Sequence, residues 1–332
     1  MPSPLPRLGR PWPRPVRYLL ALLGGAGLVA LALGLGWIDF SSAARTARQM
    51  AGLDPWFAAG VVLLFTCAGA LRGLVFWLVL RSSGSGIRLR RVLLAQGVGS
   101  TAGAGLPGPV TDSLRVFLIR DEHTPIPQIV GALGLQKVLE ALCGFFFIGA
   151  LAPMLPLPSG LAHLSWFPVV LLGAGLLAAL VARRGWSPAP RSGRIALRLR
   201  RVATELMTGA HALRSARTVV GLCLIELMAI FLNVLGLWLL LNAFWSTGPA
   251  LALCVFLLVK VSSLVPTIGG LGTREAALIP VISSVLAAGL SDALAFSLSI
   301  HVAGLMSGVV LVLALTPLLA GSAARASLRT RI

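Results

Sequence analysis

Long apolar runs broken by short polar or basic stretches recur along the whole chain. Runs at about 17–38, 56–80, 128–151, 165–182, 218–243 and 292–319 are each near the ~20 residues a helix needs to cross a hydrocarbon core of about 30 Å. Two further apolar stretches differ in kind. Residues 92–119 contain GSTAGAGLPGP and residues 249–287 contain VPTIGGLGTRE, and both are too rich in glycine and proline for one continuous helix. The pattern predicts an all-α, polytopic membrane helical bundle with about six continuous spans plus two broken or re-entrant segments.

The two interruptions resemble one another. In LPGPVTDSLR, residues 106–115, Pro107 precedes Arg115 by eight positions. In VPTIGGLGTRE, residues 265–275, Pro266 precedes Arg274 by the same interval, 159 residues later. Irregular backbone at membrane depth must be buried in protein or line a wet cavity, because lipid satisfies none of its polar groups. Interrupted segments at matching places in two halves are the footprint of an inverted repeat, with a substrate site at the repeat interface. If each broken segment returns to its own side, the first belongs to the cytoplasmic side and the second to the outer side.

Composition agrees with this reading. The chain is 57% hydrophobic and 11% charged, with mean hydropathy +0.92, far from an ordinary soluble domain. Its net charge of +18 would suggest nucleic acid in a soluble protein, but the arginines cluster between apolar runs. Residues 183–217 hold nine arginines against one acid, Glu205, and such a loop belongs on the cytoplasmic side. It also attracts anionic lipids, and its segment 195–213 suits an interfacial amphipathic helix. No nucleic-acid partner is expected. The domain reading is a basic cytoplasmic tail over 1–16, a transmembrane domain over 17–320 and a basic cytoplasmic tail over 321–332. Halves at about 17–182 and 218–320 are joined by the basic loop 183–217, and both termini are cytoplasmic. The run from Tyr18 to Ile38 is read as a retained span rather than a cleaved signal. Cys67, Cys143, Cys223 and Cys254 are isolated, without metal or disulfide spacing.

Charges inside apolar runs are expensive and mark candidate sites. Arg115 follows Asp112 by three residues, one face of a helix. The pair is either an internal ion pair or an arginine held partly neutralised for a phosphate, which the guanidinium fork grips bidentately. Arg274 and Glu275 repeat the theme behind Gly269, Gly270 and Gly272, which allow close backbone approach. That glycine run lacks the lysine of a nucleotide-binding loop. Lys137 and Glu140 either neutralise each other or extend the polar path from Arg115. Glu226, Asn233 and Lys260 are further candidates, with snorkelling the competing role for the lysine. Arg72, near Trp77, is expected to be an interfacial anchor. The four histidines do not read as a metal cluster, and His301 reads as a packing or hydrogen-bonding residue. No metal site, cofactor or catalytic residue is expected.

LPGPVTDSLRVFLIR and PTIGGLGTREAAL, with LQKVLEAL between them, resemble the transmembrane domain of lysylphosphatidylglycerol synthases and the stand-alone prokaryotic membrane proteins that share it. The resemblance spans about 17–320. It carries over Pro107, Gly108, Arg115, Glu140, Pro266, Gly269, Gly270, Gly272, Arg274 and Glu275. Thr111 stands where relatives often have glycine, and Gln136-Lys137 where Glu-Arg is common. Lysine keeps that charge but loses the fork.

In the full-length enzymes this domain is associated with moving the modified lipid between leaflets, while a separate cytoplasmic domain transfers the aminoacyl group. No segment up to Ile332 reads as that second domain. The resemblance implies a lipid flippase or lipid-linked substrate transporter of a prokaryotic cytoplasmic membrane. Its substrate would be a phospholipid or a polyprenyl-phosphate-linked molecule, whose polar, phosphate-containing head crosses. Arg115 and Arg274 would engage phosphate. Asp112, Glu140 and Glu275 would compensate those charges or select a cationic head. An intramembrane lipid- or glycan-modifying enzyme subunit and an envelope-assembly scaffold are the alternatives, either with a separate synthase or envelope-assembly partner.

Overall fold

In a computed structural model, the structure describes residues 55–103, 106, 108–121, 124–151, 215–262 and 273–329. They form eight helices and no strands: α1 (Pro55–Ser82), α2 (Leu89–Gly103), α3 (Gly108–Ile119), α4 (Ile126–Leu151), α5 (Ala216–Phe244), α6 (Pro249–Ser262), α7 (Thr273–Leu286) and α8 (Leu290–Arg329). The expected runs at 17–38 and 165–182, and most of the basic loop 183–217, lie outside the described residues.

Four helices are long and apolar enough to cross a membrane: Pro55–Ser82, Ile126–Phe147, Ala216–Phe244 and Asp292–Thr316. They coincide with four of the predicted runs. Their ends follow local chemistry. After α1 the chain turns at Gly84, whose φ of +81° is the left-handed conformation glycine adopts freely at a helix end. Ser85 N–H closes that turn by donating to Leu80 O at 3.2 Å. Ser215 caps α5, its hydroxyl accepting from Thr218 N–H. Pro249 opens α6, where a missing N–H is harmless.

The first interrupted segment is a helical hairpin. At 15 and 12 residues, α2 and α3 reach only about 18–22 Å at ~1.5 Å per residue, short of the hydrocarbon core. Their pairing runs antiparallel. Arg91, near the start of α2, donates from Nε to Leu118 O at 3.0 Å and also bonds Arg120 O. Further in, Gly99 faces Arg115, and Gly103 lies against Thr111 at the closed end. The hairpin therefore opens at the C-terminal end of α1 and closes toward the middle of the bundle.

The second interrupted segment has matching proportions, with 14 residues in each of α6 and α7, which pack on each other. Both of its open ends lie at the C-terminal end of α5. There α6 follows α5 after a four-residue link held by Trp238 Nε1, which donates to Thr247 O at 3.0 Å. α7 leads into α8, whose Phe296 packs edge-on against Phe244 and Trp245 at the end of α5. Because Arg72 meets Glu226 while Phe65 meets Gly236, α1 and α5 run antiparallel. The two hairpins thus enter from opposite ends of the bundle.

The apolar core is split accordingly. One cluster, around Phe76, Leu80, Ile119 and Ile129, joins the first hairpin to α1, α4 and the start of α5. The other, around Ile230, Phe256, Leu278 and Phe296, joins the second hairpin to the later part of α5 and the early part of α8. Bilayer tails are as apolar as leucine, so close backbone approach must supply much of the cohesion. The α2–α8 contact shows this at Gly308: a Cβ there would meet Gly97 O at 2.7 Å and Thr101 N at 2.8 Å.

Candidate functional site

Between the two clusters lies a cavity of about 740 Å³. Nearly every intramembrane charge of the described residues lines or backs it. Both hairpins contribute: Asp112 and Arg115 from α3, Lys260 from α6 and Arg274 from α7. The long helices add Arg72 from α1, Lys137 and Glu140 from α4, Asn233 from α5 and His301 from α8. Glu226 and Glu275 stand behind the wall and touch residues that line it.

Three charged groups divide the cavity. At the first hairpin Arg115 Nη1 donates to Asp112 Oδ1 at 3.1 Å, and Lys137 Nζ lies 3.7 Å from the same oxygen. This is the ion pair expected from the three-residue spacing, now shared with a lysine. Arg115 is held hard against α2: a Cβ on Gly99 would come within 2.8 Å of Arg115 Cγ.

The second group spans four helices. Arg72 Nε lies 3.4 Å from Glu140 Oε1 and 3.3 Å from Glu226 Oε1, and Lys260 Nζ is bonded to Glu140 Oε1. The expectation that Arg72 anchors at the headgroups is therefore corrected. It lies ten residues from the end of α1 at Ser82, about 15 Å along the axis, too deep to snorkel, and two carboxylates hold it inside. Trp77 instead donates to Ile87 O at 3.0 Å and lies against Arg81. Lys260 likewise points to Glu140 rather than outward, and Glu140 pairs with Lys260 and Arg72 instead of Lys137.

The third group is at the second hairpin. Glu275 Oε1 accepts from Ser297 Oγ at 3.0 Å and lies 3.3 Å from His301 Nε2, off the line of a hydrogen bond. Arg274 differs from the other cations. Among the described residues no ion pair holds its guanidinium, and its Nε is buried without a partner. Arg72 Nη2 and Arg115 Nε are also buried and unpartnered. Buried donors left unmade are costly, so these three nitrogens mark binding capacity that the protein does not use itself.

The hairpin geometry adds to the positive character. Gly108, Pro109, Thr111 and Asp112, the first turns of α3, line the cavity, as does Arg274 in the first turn of α7. Both helices thus aim their N-terminal ends at the same space, where the helix dipole favours an anion.

Of the residues singled out in the sequence, Gly108, Asp112, Arg115, Lys137, Glu140, Lys260 and Arg274 share this one cavity. Glu226 and Glu275 back it. Pro107, Pro266, Gly269, Gly270 and Gly272 lie outside the described residues. Sequence reading missed Gln96 and Gln136, buried polar side chains in the wall, and misassigned Arg72. Its signal was position, since a charge midway along an apolar run has no short route to water. Among the described residues no group of histidine, cysteine and acidic side chains is placed to hold a metal.

A family model described as "Lysylphosphatidylglycerol synthase TM region" matches residues 18–320, nearly the whole chain. No curated protein matches it.

Proposed function

The chain belongs to the lysylphosphatidylglycerol synthase transmembrane family, and from that premise we propose that it carries a phosphate-containing lipid headgroup across the cytoplasmic membrane while the tails stay in the bilayer. The observation that carries this reading is the charged cavity between two half-length hairpins entering from opposite ends. A polar head cannot cross hydrocarbon alone, and a lined polar path removes that cost. Arg115 from one hairpin and Arg274 from the other are the phosphate-binding groups. Lys137, Lys260 and Arg72 widen the positive field, and Asp112, Glu140, Glu226 and Glu275 limit it.

The matching hairpins, the antiparallel α1 and α5 and the repeated Pro-to-Arg interval support an inverted repeat, the arrangement that lets one site open to either side in turn. Three basic stretches favour a cytoplasmic placement of one end. The arginines after α1, Arg217 in the first turn of α5 and Arg325 and Arg329 in the last turns of α8 all belong to the end where the first hairpin opens.

Flux of tail-labelled lipid in proteoliposomes tests the proposal. Gly304 lines the cavity, and a Cβ there meets nothing within 4 Å, so Gly304→Trp should project a bulky side chain into the path. Flux falling to the protein-free rate, with thermal unfolding unchanged, is the expected result. Wild-type flux in Gly304→Trp would place the path elsewhere.

A further inference from the structure

The balance of charge in the cavity narrows the kind of headgroup it accepts. Five cationic side chains line it, Arg72, Arg115, Lys137, Lys260 and Arg274, against two carboxylates, Asp112 and Glu140. Each of those carboxylates is already shared by two cations of the protein: Asp112 by Arg115 and Lys137, Glu140 by Arg72 and Lys260. A substrate ammonium would find no carboxylate there that is not doubly engaged. Glu226 has an unpartnered oxygen, but its side chain is fully buried and does not reach the cavity.

Counting Glu226 and Glu275 behind the wall and leaving His301 aside, the described residues set five cationic side chains against four acidic ones. Among the described residues, the lining cation that no ion pair holds is Arg274. The unpartnered buried groups that carry charge in the cavity wall, on Arg72, Arg115 and Arg274, are all donors, while the unpartnered oxygens in the wall belong to the neutral amides of Gln96 and Gln136.

We infer that the cavity selects a lipid phosphodiester of net charge −1 without an ammonium group, Arg274 supplying the balancing charge. Zwitterionic and aminoacylated headgroups bring an ammonium for which the wall offers only neutral amide oxygens and no carboxylate that is not doubly engaged. A phosphomonoester, at about −1.5 to −2 near neutral pH, overfills the single vacancy. The inference rests on the carrier reading in taking the occupant to be a lipid, since a soluble phosphodiester offers the same anion.

The test is equilibrium binding to the purified full chain in nanodiscs, with lipids of matched tails. Phosphatidylglycerol is compared with phosphatidylethanolamine, lysyl-phosphatidylglycerol and the phosphomonoester phosphatidic acid, and soluble glycerophosphoglycerol serves as competitor. Phosphatidylglycerol should bind at least about tenfold tighter than the other three, a difference of ~1.4 kcal/mol. Arg274→Gln should erase that preference, so that phosphatidylglycerol binds no tighter than phosphatidylethanolamine in the same variant. Arg274→Lys should retain most of it, which shows that a folded site lacking only the charge loses selectivity. Equal or tighter binding of an amine-bearing or monoester lipid would overturn the assignment, as would a preference that survives Arg274→Gln. Competition by the soluble compound as strong as by the lipid would overturn the lipid part. Selective binding without flux contradicts the carrier reading and leaves this one standing; flux of every headgroup alike does the reverse.

Discussion

Glu140 is the residue on which the middle of the bundle turns. Its carboxylate holds Lys260 of α6 and Arg72 of α1, so its removal strands two cations at membrane depth. Breaking a buried ion pair from one side costs about 3–5 kcal/mol, whereas replacing both partners with apolar groups is often neutral. Glu140→Ala should therefore lower thermal stability by several degrees, and Glu140→Leu combined with Lys260→Met should recover part of the loss. A melting temperature unchanged in Glu140→Ala would mean the network holds nothing together. The sequence pointed to Glu140 and Lys260 as polar residues in apolar surroundings, but not to their pairing, because they are 120 positions apart and only the tertiary fold brings them into contact. Arg72 was misread for the same reason: both of its acids come from other helices.

The hairpins are where element and site meet. Their existence was legible from glycine and proline, which end a helix through backbone chemistry alone. Their facing opposite ways followed from the parity of the spans, whereas the contacts that hold each one, such as Arg91 with Leu118 O, did not. Gly99 ties α2 to the position of Arg115, so Gly99→Ala should displace that guanidinium. The expected outcome is a several-fold loss of lipid flux with α-helical content unchanged, read by flux and circular dichroism on the same preparation. Gly308→Leu should act differently. It pushes α8 off the backbone of α2, and overpacking of this kind costs roughly 1–3 kcal/mol or more, so unfolding in detergent should move to lower temperature. Equal stability of Gly308→Leu and wild type would show that α2 and α8 do not rely on close approach.

At the scale of the whole molecule the central feature is opposition. One hairpin opens at the end that holds Ser83, the other at the end that holds Thr247, and the cavity lies between. Single cysteines at those two positions, in a background with the four native cysteines replaced, should label from opposite sides of the membrane. Position 83 should be cytoplasmic, on the side of the arginine-rich stretches. Labelling of both from one side would break the arrangement. The apolar runs foretold the four long described helices, and the twin Pro-to-Arg intervals foretold two interruptions. That the Asp112–Arg115 pair shares one space with Lys260, Arg274 and His301 was not in the linear pattern, because the pair is distant from those three in sequence and only the antiparallel course of α1 and α5 sets the hairpins face to face.

The most direct test is headgroup-resolved lipid translocation in proteoliposomes, comparing wild type with Arg115→Ala and Arg274→Ala at equal amounts of folded protein. The account predicts movement of a phosphate-headed lipid that each substitution reduces at least about tenfold, the loss of ~1.4 kcal/mol or more of binding to the phosphate. Translocation that proceeds at the wild-type rate in both variants would contradict it.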